Sequence, residues 1–579
     1  MELNQEVARQ VALPSAAFYK QPACKPGQAA PEPASACWET SSLNPKNRID
    51  SLDFPATPSW RIDGCIAFGT QFYAVPLFMG PTQPHRLDIF IPNHSNISPS
   101  LCQVLDLSTA FHTRDTRATQ GLGITRHIVR CLQHWTSSSK EASQYKQFPF
   151  GSRIVFHNLP ASPHDARISI VPTYHLERQM HSVQHLQDMW KDQHIQLPPT
   201  IDLGELHHKA QPHDSVSVVE HKGEALVFKA ITSHTKYLYH ELRHLLRMRP
   251  HPSIIERPRH LVTKKCGFGS KTAVVGFTLA YHPHGTIRNH IPYLALHNKI
   301  PHDQEASWAL QIVRGLRHFR QTCDTYYSDL RLDNILLSDA HEAIMVDFEQ
   351  RGVWSGFSAP EINSIECIRE LAVAEDTPEP LRSGYADLMA QMLPHWEELV
   401  DGEEYAWPAG RKGYNVAWQC LHPEEQECCE VYMLGRVLWC LFEAQSAPHR
   451  AAVWTSYETE PTIEFPSYSR TPHELRRLID WCTKGHAPTL GSVIVRSGNK
   501  LVLREREDMV ESTPEDVLVK AKMFWTKHVS DSEKWVRNHI ETRKTCPTNC
   551  AFPSRPTLAA VEASLERFKR SLHREMDAP

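Results

Sequence analysis

No apolar run in these 579 residues is long enough to span a bilayer; the best, Tyr432 to Ala444, is short and holds Arg436. The start, MELNQEVARQVALP, lacks the charged lead into an apolar stretch that marks an export signal. An intracellular protein, cytoplasmic or nuclear, with no membrane partner is therefore expected. Neither sign of charge dominates: 62 basic against 66 acidic residues leave a net charge of -4, which offers little to a nucleic-acid backbone, and no nucleic-acid partner is expected. Paired cysteine spacings are missing as well. The fifteen cysteines are scattered, Cys546 and Cys550 form a C-x3-C with no second pair, and reduced thiols are the expectation rather than disulfides or a zinc site. The 35 histidines, His207-His208 among them, read as solvated or core residues rather than ligands.

What is present divides the chain. Residues 1–54 are rich in Pro, Ala, Ser and Gln with little apolar periodicity, the composition of a disordered lead. Over 55–195, the apolar runs Cys65–Phe68, Phe72–Phe78 and Leu87–Ile91 alternate with Pro and Gly turns, and Thr125–Trp135 reads as helix, which predicts a small α+β extension domain. Gly121-Leu-Gly123 has Arg126 where a nucleotide loop needs a third glycine, and reads as a turn entering that helix. From Tyr174 to Trp190, Leu176, Met180, Val183, Leu186 and Trp190 recur at three- and four-residue steps, predicting a connecting helix whose apolar stripe docks on a neighbour. Leu197-Pro-Pro199 then breaks the chain.

Chemistry concentrates in Tyr327-Ser-Asp-Leu-Arg-Leu-Asp-Asn334, followed by Val346-Asp347-Phe348. An Asp and an Asn five positions apart with a third acid downstream is the layout of a phosphoryl-transfer site. One carboxylate accepts the proton of an attacking hydroxyl, while the Asn and the second Asp hold Mg2+ against the phosphates of ATP. Trp308, Ile312, Leu316 and Phe319 predict a long buried helix leading into this loop, and Leu238, Leu242 and Leu245 share a helical face beside Glu241 that Pro250 and Pro252 terminate. Asp and Asn also favour turns and caps, so the spacing alone is weak and its order in the chain carries the reading.

In that order, residues 200–572 resemble a eukaryotic protein kinase domain of the divergent kind found in filamentous fungi. The resemblance implies an α+β, two-lobed protein kinase-like fold with a small lobe at 196–282, a large lobe at 283–572 and a tail at 573–579. Ala225-Leu-Val-Phe-Lys229 resembles the strand whose Lys clamps the α- and β-phosphates, with Glu241 as its partner; Phe277–Tyr281 and His282-Pro-His-Gly285 resemble the hinge, where the backbone of Ala280 and His282 would meet adenine. Asp329 would orient and deprotonate the acceptor hydroxyl, Arg331 neutralise γ-phosphate charge, and Asn334 and Asp347 bind Mg2+. Ala359-Pro-Glu361, the helix at Glu430–Trp439 and Arg555-Pro-Thr-Leu resemble further family blocks, with Arg555 paired to Glu361 and Glu430 in place of the usual Asp.

Several positions depart from the family pattern. Between Leu203 and Val219 the only glycine is Gly204, so no glycine-rich loop covers the phosphates; Val227 and Glu349 replace an Ala and a Gly; and Tyr327-Ser328 replaces His-Arg, removing the arginine that receives an activating phosphate. Insertions near 364–415, with the acidic run Glu397–Glu404, and near 484–550 are read as solvated elaborations. The leading expectation is ATP- and Mg2+-dependent transfer to a protein Ser or Thr. A pseudokinase scaffold and a small-molecule kinase of the aminoglycoside or choline type remain as alternatives.

Overall fold

The computed structural model of the chain describes residues 5–19, 56–66, 71–78, 87–90, 122–140, 144–160, 162–267, 269–297, 299–352, 354–406, 413–449, 463–497, 500–504, 513–545 and 552–576. The architecture is mixed α+β. It divides into a sheet unit, Lys20–Leu238 with Pro258–Tyr281, and a helical unit, Met1–Tyr19 with Tyr239–Arg257 and His282–Pro579. The expected boundary at 195/196 thus falls inside the sheet unit, and the one at 282/283 falls at its edge. Among the described residues no helix is long and apolar enough to cross a membrane.

The sheet unit holds two sheets. Five strands run in the order Trp60–Ile66, Gln71–Pro76, Leu87–Phe90, Arg153–Phe156 and Ile168–Val171, antiparallel except for the central pair Leu87–Phe90 and Arg153–Phe156. The helix Gly123–Ser138 buries Ile124, Ile128, Leu132 and Trp135 against Trp60, Ile62, Phe72 and Ile154, the one-sided apolar stripe the sequence carries. Gly121 lies outside the described residues. The second sheet has six strands, ordered Thr200–Asp202, His260–Lys265, Thr272–Ala280, Glu224–Lys229, Val216–His221 and His207–His213, only the first pair being parallel. Lys222 and Gly223, at φ +52° and +83°, make the two-residue turn joining Val216–His221 to Glu224–Lys229.

Two bulges tie the sheets together. Asp63 is the extra residue where the ladder shifts between Ile62 and Gly64, and Gln211 lies in a register break of His207–His213. Asp63 Oδ2 accepts the Gln211 N–H at 2.8 Å and lies 3.4 Å from His208 Nε2, while Arg61 donates to the same carboxylate. The connecting segment forms two helices instead of one, Tyr174–Gln179 and Val183–Trp190, because Ser182 caps the second by accepting the His185 N–H at 3.2 Å. Part of its stripe docks within the sheet unit: Leu176 and Met180 pack with Leu226, Phe228, Val262 and Val275 of the six-stranded sheet.

The helical unit is built on His302–Cys323, where Trp308, Ile312, Leu316 and Phe319 are all buried. Leu558–Met576 lies along it, Glu562 and Glu566 meeting Arg314 at 2.8 and 2.7 Å. Pro423–Glu443 is buried along most of its length. The region near 364–415 contains the helix Glu379–Met392 and the short helix Glu397–Asp401. The region near 484–550 contains the hairpin Ile494–Ser497 with Lys500–Leu503, and the 32-residue helix Pro514–Thr545, which buries Val517, Ala521, Val529 and Val536. Part of the expected disordered lead is ordered here. Gln5–Ala12 is a helix, Pro14–Phe18 a 3-10 turn, and Trp525 Nε1 donates to Val11 O at 2.7 Å; residues 20–55 lie outside the described residues. Val7 and Val11, one helical turn apart, supply the apolar face that composition alone obscured.

Candidate active site

The long helix ends at Asp324 in the left-handed conformation, φ +49°, and releases the chain into the loop that carries Asp329. Glu430 sets that loop. Its buried carboxylate accepts the Tyr327 N–H at 2.7 Å and Arg320 Nη1 at 2.6 Å. Burial pushes the Glu430 carboxyl up to about 7, against the charge of Arg320 and the Tyr327 hydrogen bond.

A 3-10 turn, Leu332–Asn334, then folds Asn334 back over Asp329. The Asn334 amide donates to Asp329 Oδ2 at 3.0 Å and to its carbonyl at 2.8 Å, and Arg331 Nε lies 3.1 Å from the same Oδ2. The Asp329 side chain keeps 19 % of its surface exposed. Burial pushes its carboxyl up to about 6; Arg331 and the Asn334 bond pull the other way, and Asp347 adds to the rise.

Ile335–Leu337 pairs with Ala343–Met345, and the Val346 N–H returns to Asn334 O at 3.0 Å, so the chain emerges at Asp347 beside the loop. Asp347 has φ +68°, a left-handed conformation that costs roughly 1–2 kcal/mol for a residue with a side chain. Its neighbours hold it there: the Tyr327 hydroxyl donates to Val346 O, and the Tyr327 ring meets Phe348 edge-on with centroids 5.2 Å apart. Glu241, on the helix Thr235–Arg247, accepts the Phe348 N–H at 3.0 Å.

Because Phe348 stands between two acids, that bond gathers three carboxylates. The oxygens of Glu241, Asp347 and Glu349 lie within 4.8 Å of one another. Carboxylates so close repel unless a proton or a cation lies among them, and an all-oxygen set suits a hard divalent cation such as Mg2+. Asp347, expected with Asn334 to bind Mg2+, is one of the three. Asn334 turns its amide nitrogen to Asp329, while Glu349, which stands where the family pattern has a Gly, joins the acidic group. The signal was a single acidic side chain two residues beyond Asp347.

Asp329, Arg331, Asn334, Asp347 and Glu241 therefore all fall in the helical unit, the first four coupled electrostatically. His282 is in that unit too, its carbonyl accepting the Gly285 N–H at 3.2 Å in a turn. Lys229 and Ala280 belong to the sheet unit. Lys229 is buried at the end of Glu224–Lys229 opposite Phe277, and Ala280 pairs with Leu226. A Cβ at Gly276 would come within 2.3 Å of the Lys229 carbonyl, so glycine alone permits that approach. The strands His207–His213 and Val216–His221 are joined through Asp214 and Ser215, without glycine.

One spacing runs against the expectation that no histidines stand at ligand spacing. His240-Glu241-Leu-Arg-His244 places two imidazoles one helical turn apart with an acid between them, a metal-ligand pattern. The structure uses it otherwise. His240 Nε2 lies 2.8 Å from Gln350 Oε1 and 2.9 Å from His244 Nε2, both rings are buried, and no third His, Cys, Asp or Glu joins them among the described residues. Burial pulls His240 down to about 4 and His244 well below its ordinary value, so the pair is neutral.

Ala359-Pro-Glu361 opens the helix Pro360–Val373, and Glu361 meets Arg555 in a forked pair at 2.9 and 3.2 Å, both side chains buried. A comparison with protein-family models finds none that matches this chain, and a comparison with curated proteins finds no match either.

Proposed function

We propose that this chain is a protein-kinase-like phosphotransferase that moves the γ-phosphoryl group of ATP to a Ser or Thr hydroxyl of a protein, with residues 196–282 as its small lobe. The reading rests on Asp329: a partly exposed carboxylate, held by Asn334 and Arg331, within the electrostatic reach of Asp347. In the reaction the acceptor oxygen bonds to the γ-phosphorus, its proton passes to Asp329, the bond to the β,γ-bridging oxygen breaks, and ADP leaves. Asn334 fixes which oxygen of Asp329 faces the proton. Arg331 sets positive charge beside that carboxylate and opposes the negative charge that accumulates on the phosphoryl oxygens. Asp347, with Glu241 and Glu349, would hold Mg2+, which when bound neutralises phosphate charge.

A scaffold reading with little turnover is favoured by one feature, the glycine-free join at Asp214-Ser215, which leaves no backbone cradle for phosphates there. Turnover of radiolabelled ATP by wild type beside Asp329→Asn decides between them. Loss of the general base should cost about 100-fold or more in kcat. An Asp329→Asn protein at the wild-type rate refutes the assigned role, and a folded wild type without turnover, whose melting temperature ATP and Mg2+ leave unmoved, supports the scaffold reading.

A further inference from the structure

Beside the catalytic loop stands a cluster that the proposed chemistry leaves unexplained. Trp354, half-buried in the segment between Asp347 and Ala359, has its ring 5.0 Å from the Arg331 guanidinium and 5.4 Å from that of Arg288, both within cation–π reach. Arg288, buried on the helix Ile287–Leu296, donates to both oxygens of Asp333 at 2.9 Å, and Arg331 lies 3.7 Å from the same carboxylate. Asp333 therefore draws the two cations together, and the indole offers them a shared π surface instead of mutual repulsion. Trp354 is itself fixed: its carbonyl accepts the Phe357 and Ser358 N–H groups at 2.9 and 3.0 Å, its ring meets Phe357 at 5.4 Å, and Asn363 donates to Ser355 O at 3.1 Å.

We infer that Trp354 is a positioning residue for the reaction proposed above. It holds Arg331 against Asp329 and clamps residues 354–358 to the catalytic loop, without any phosphate on Ser355 or Ser358. The inference rests on the phosphoryl-transfer reading for its catalytic consequence, whereas the clamp stands on geometry alone. Arg331, Asn334, Asp333 and Asp347 are the polar and charged groups that bear on Asp329; Trp354 touches Arg331 directly and reaches Asp333 through Arg288.

The test compares Trp354→Leu, which keeps apolar bulk without a π face, with Trp354→Phe, which keeps a weaker face, in the full-length protein. Amide hydrogen exchange reads the clamp over 329–334 and 354–358. Turnover with ATP, Mg2+ and a generic Ser/Thr substrate protein reads the chemistry. Trp354→Leu should lose protection in both segments, lower kcat about tenfold with the KM for ATP little changed, and shift the acid limb of the pH profile upward as Arg331 leaves Asp329. Trp354→Phe should recover most of each. If wild type turns over and Trp354→Leu matches it in kcat and acid limb, the inference is overturned and the phosphoryl-transfer reading stands. If wild type does not turn over yet Trp354→Leu still exposes 329–334, the phosphoryl-transfer reading is overturned and the clamp stands.

Discussion

Glu361→Gln should destabilise the helical unit by about 3–5 kcal/mol, because it strands a buried guanidinium without its counter-charge. The geometry leaves little escape. The Arg555 side chain is fully buried and that of Glu361 is 4 % exposed, so water cannot replace the lost carboxylate. Arg555 would keep its bonds to Lys484 O at 3.0 and 2.8 Å and its place 4.8 Å from the Tyr432 ring, but no anion. Glutamine preserves shape and one acceptor, so the effect is one of charge rather than volume. A chain of two units does not unfold in one step, and native-state hydrogen exchange of the helix Pro423–Glu443, which Arg555 touches through the Cys428 carbonyl, is the suitable assay. At about 1.4 kcal/mol per decade, exchange there should accelerate by roughly two to three and a half decades. Arginine cannot shed its proton, so the loss should be the same at pH 6 and pH 8. Acceleration of less than about tenfold would refute the view that this pair is desolvated and mutually dependent.

Two further outcomes follow from charge. In wild type, kcat/KM should fall as pH drops through about 6, where Asp329 takes up its proton, and Arg331→Met should move that limb upward by roughly 1–3 units because the cation opposing the rise is gone; an unmoved limb separates Arg331 from Asp329. Asp63 is held below the ordinary carboxylate range: burial alone would raise it, but the His208 and Arg61 hydrogen bonds and charges prevail. Its contribution is therefore present above about pH 4 and disappears as pH falls through the folded-state value, so Asp63→Asn should cost the sheet unit about 2 kcal/mol at pH 7 and progressively less as pH falls below about 4, measured by chemical denaturation followed in that unit.

How far these properties could be read from the chain depended on whether a signal was local. Periodicity located the helices around Trp308 and Leu242, since apolar spacing reports a buried face directly. The run from Tyr174 to Trp190 has the same spacing, yet a serine cap splits it, because capping competes with periodicity and the periodic pattern does not register it. At the site, Asp329 and Asn334 are close in sequence and their hydrogen bond is a short-range affair. The approach of Glu241 to Asp347 and Glu349 spans over a hundred residues and depends on a main-chain bond to Phe348, which has no side-chain signature. The same holds for Trp354: nothing in its local sequence announces two guanidiniums from different segments.

The seat of Gln5–Ala12 on Pro514–Thr545 has a consequence for biosynthesis. The bond from Trp525 to Val11 closes a span of 514 residues, so the early segment leaves the ribosome long before its binding surface exists. At roughly 5–20 residues per second, that delay is on the order of half a minute to two minutes. Throughout it, Val7 and Val11 are unshielded on a nascent chain while the intervening sheets are free to form. This stretch therefore stays without its docking surface until Pro514–Thr545 is made, with only Leu558–Met576 among the described helices still to come.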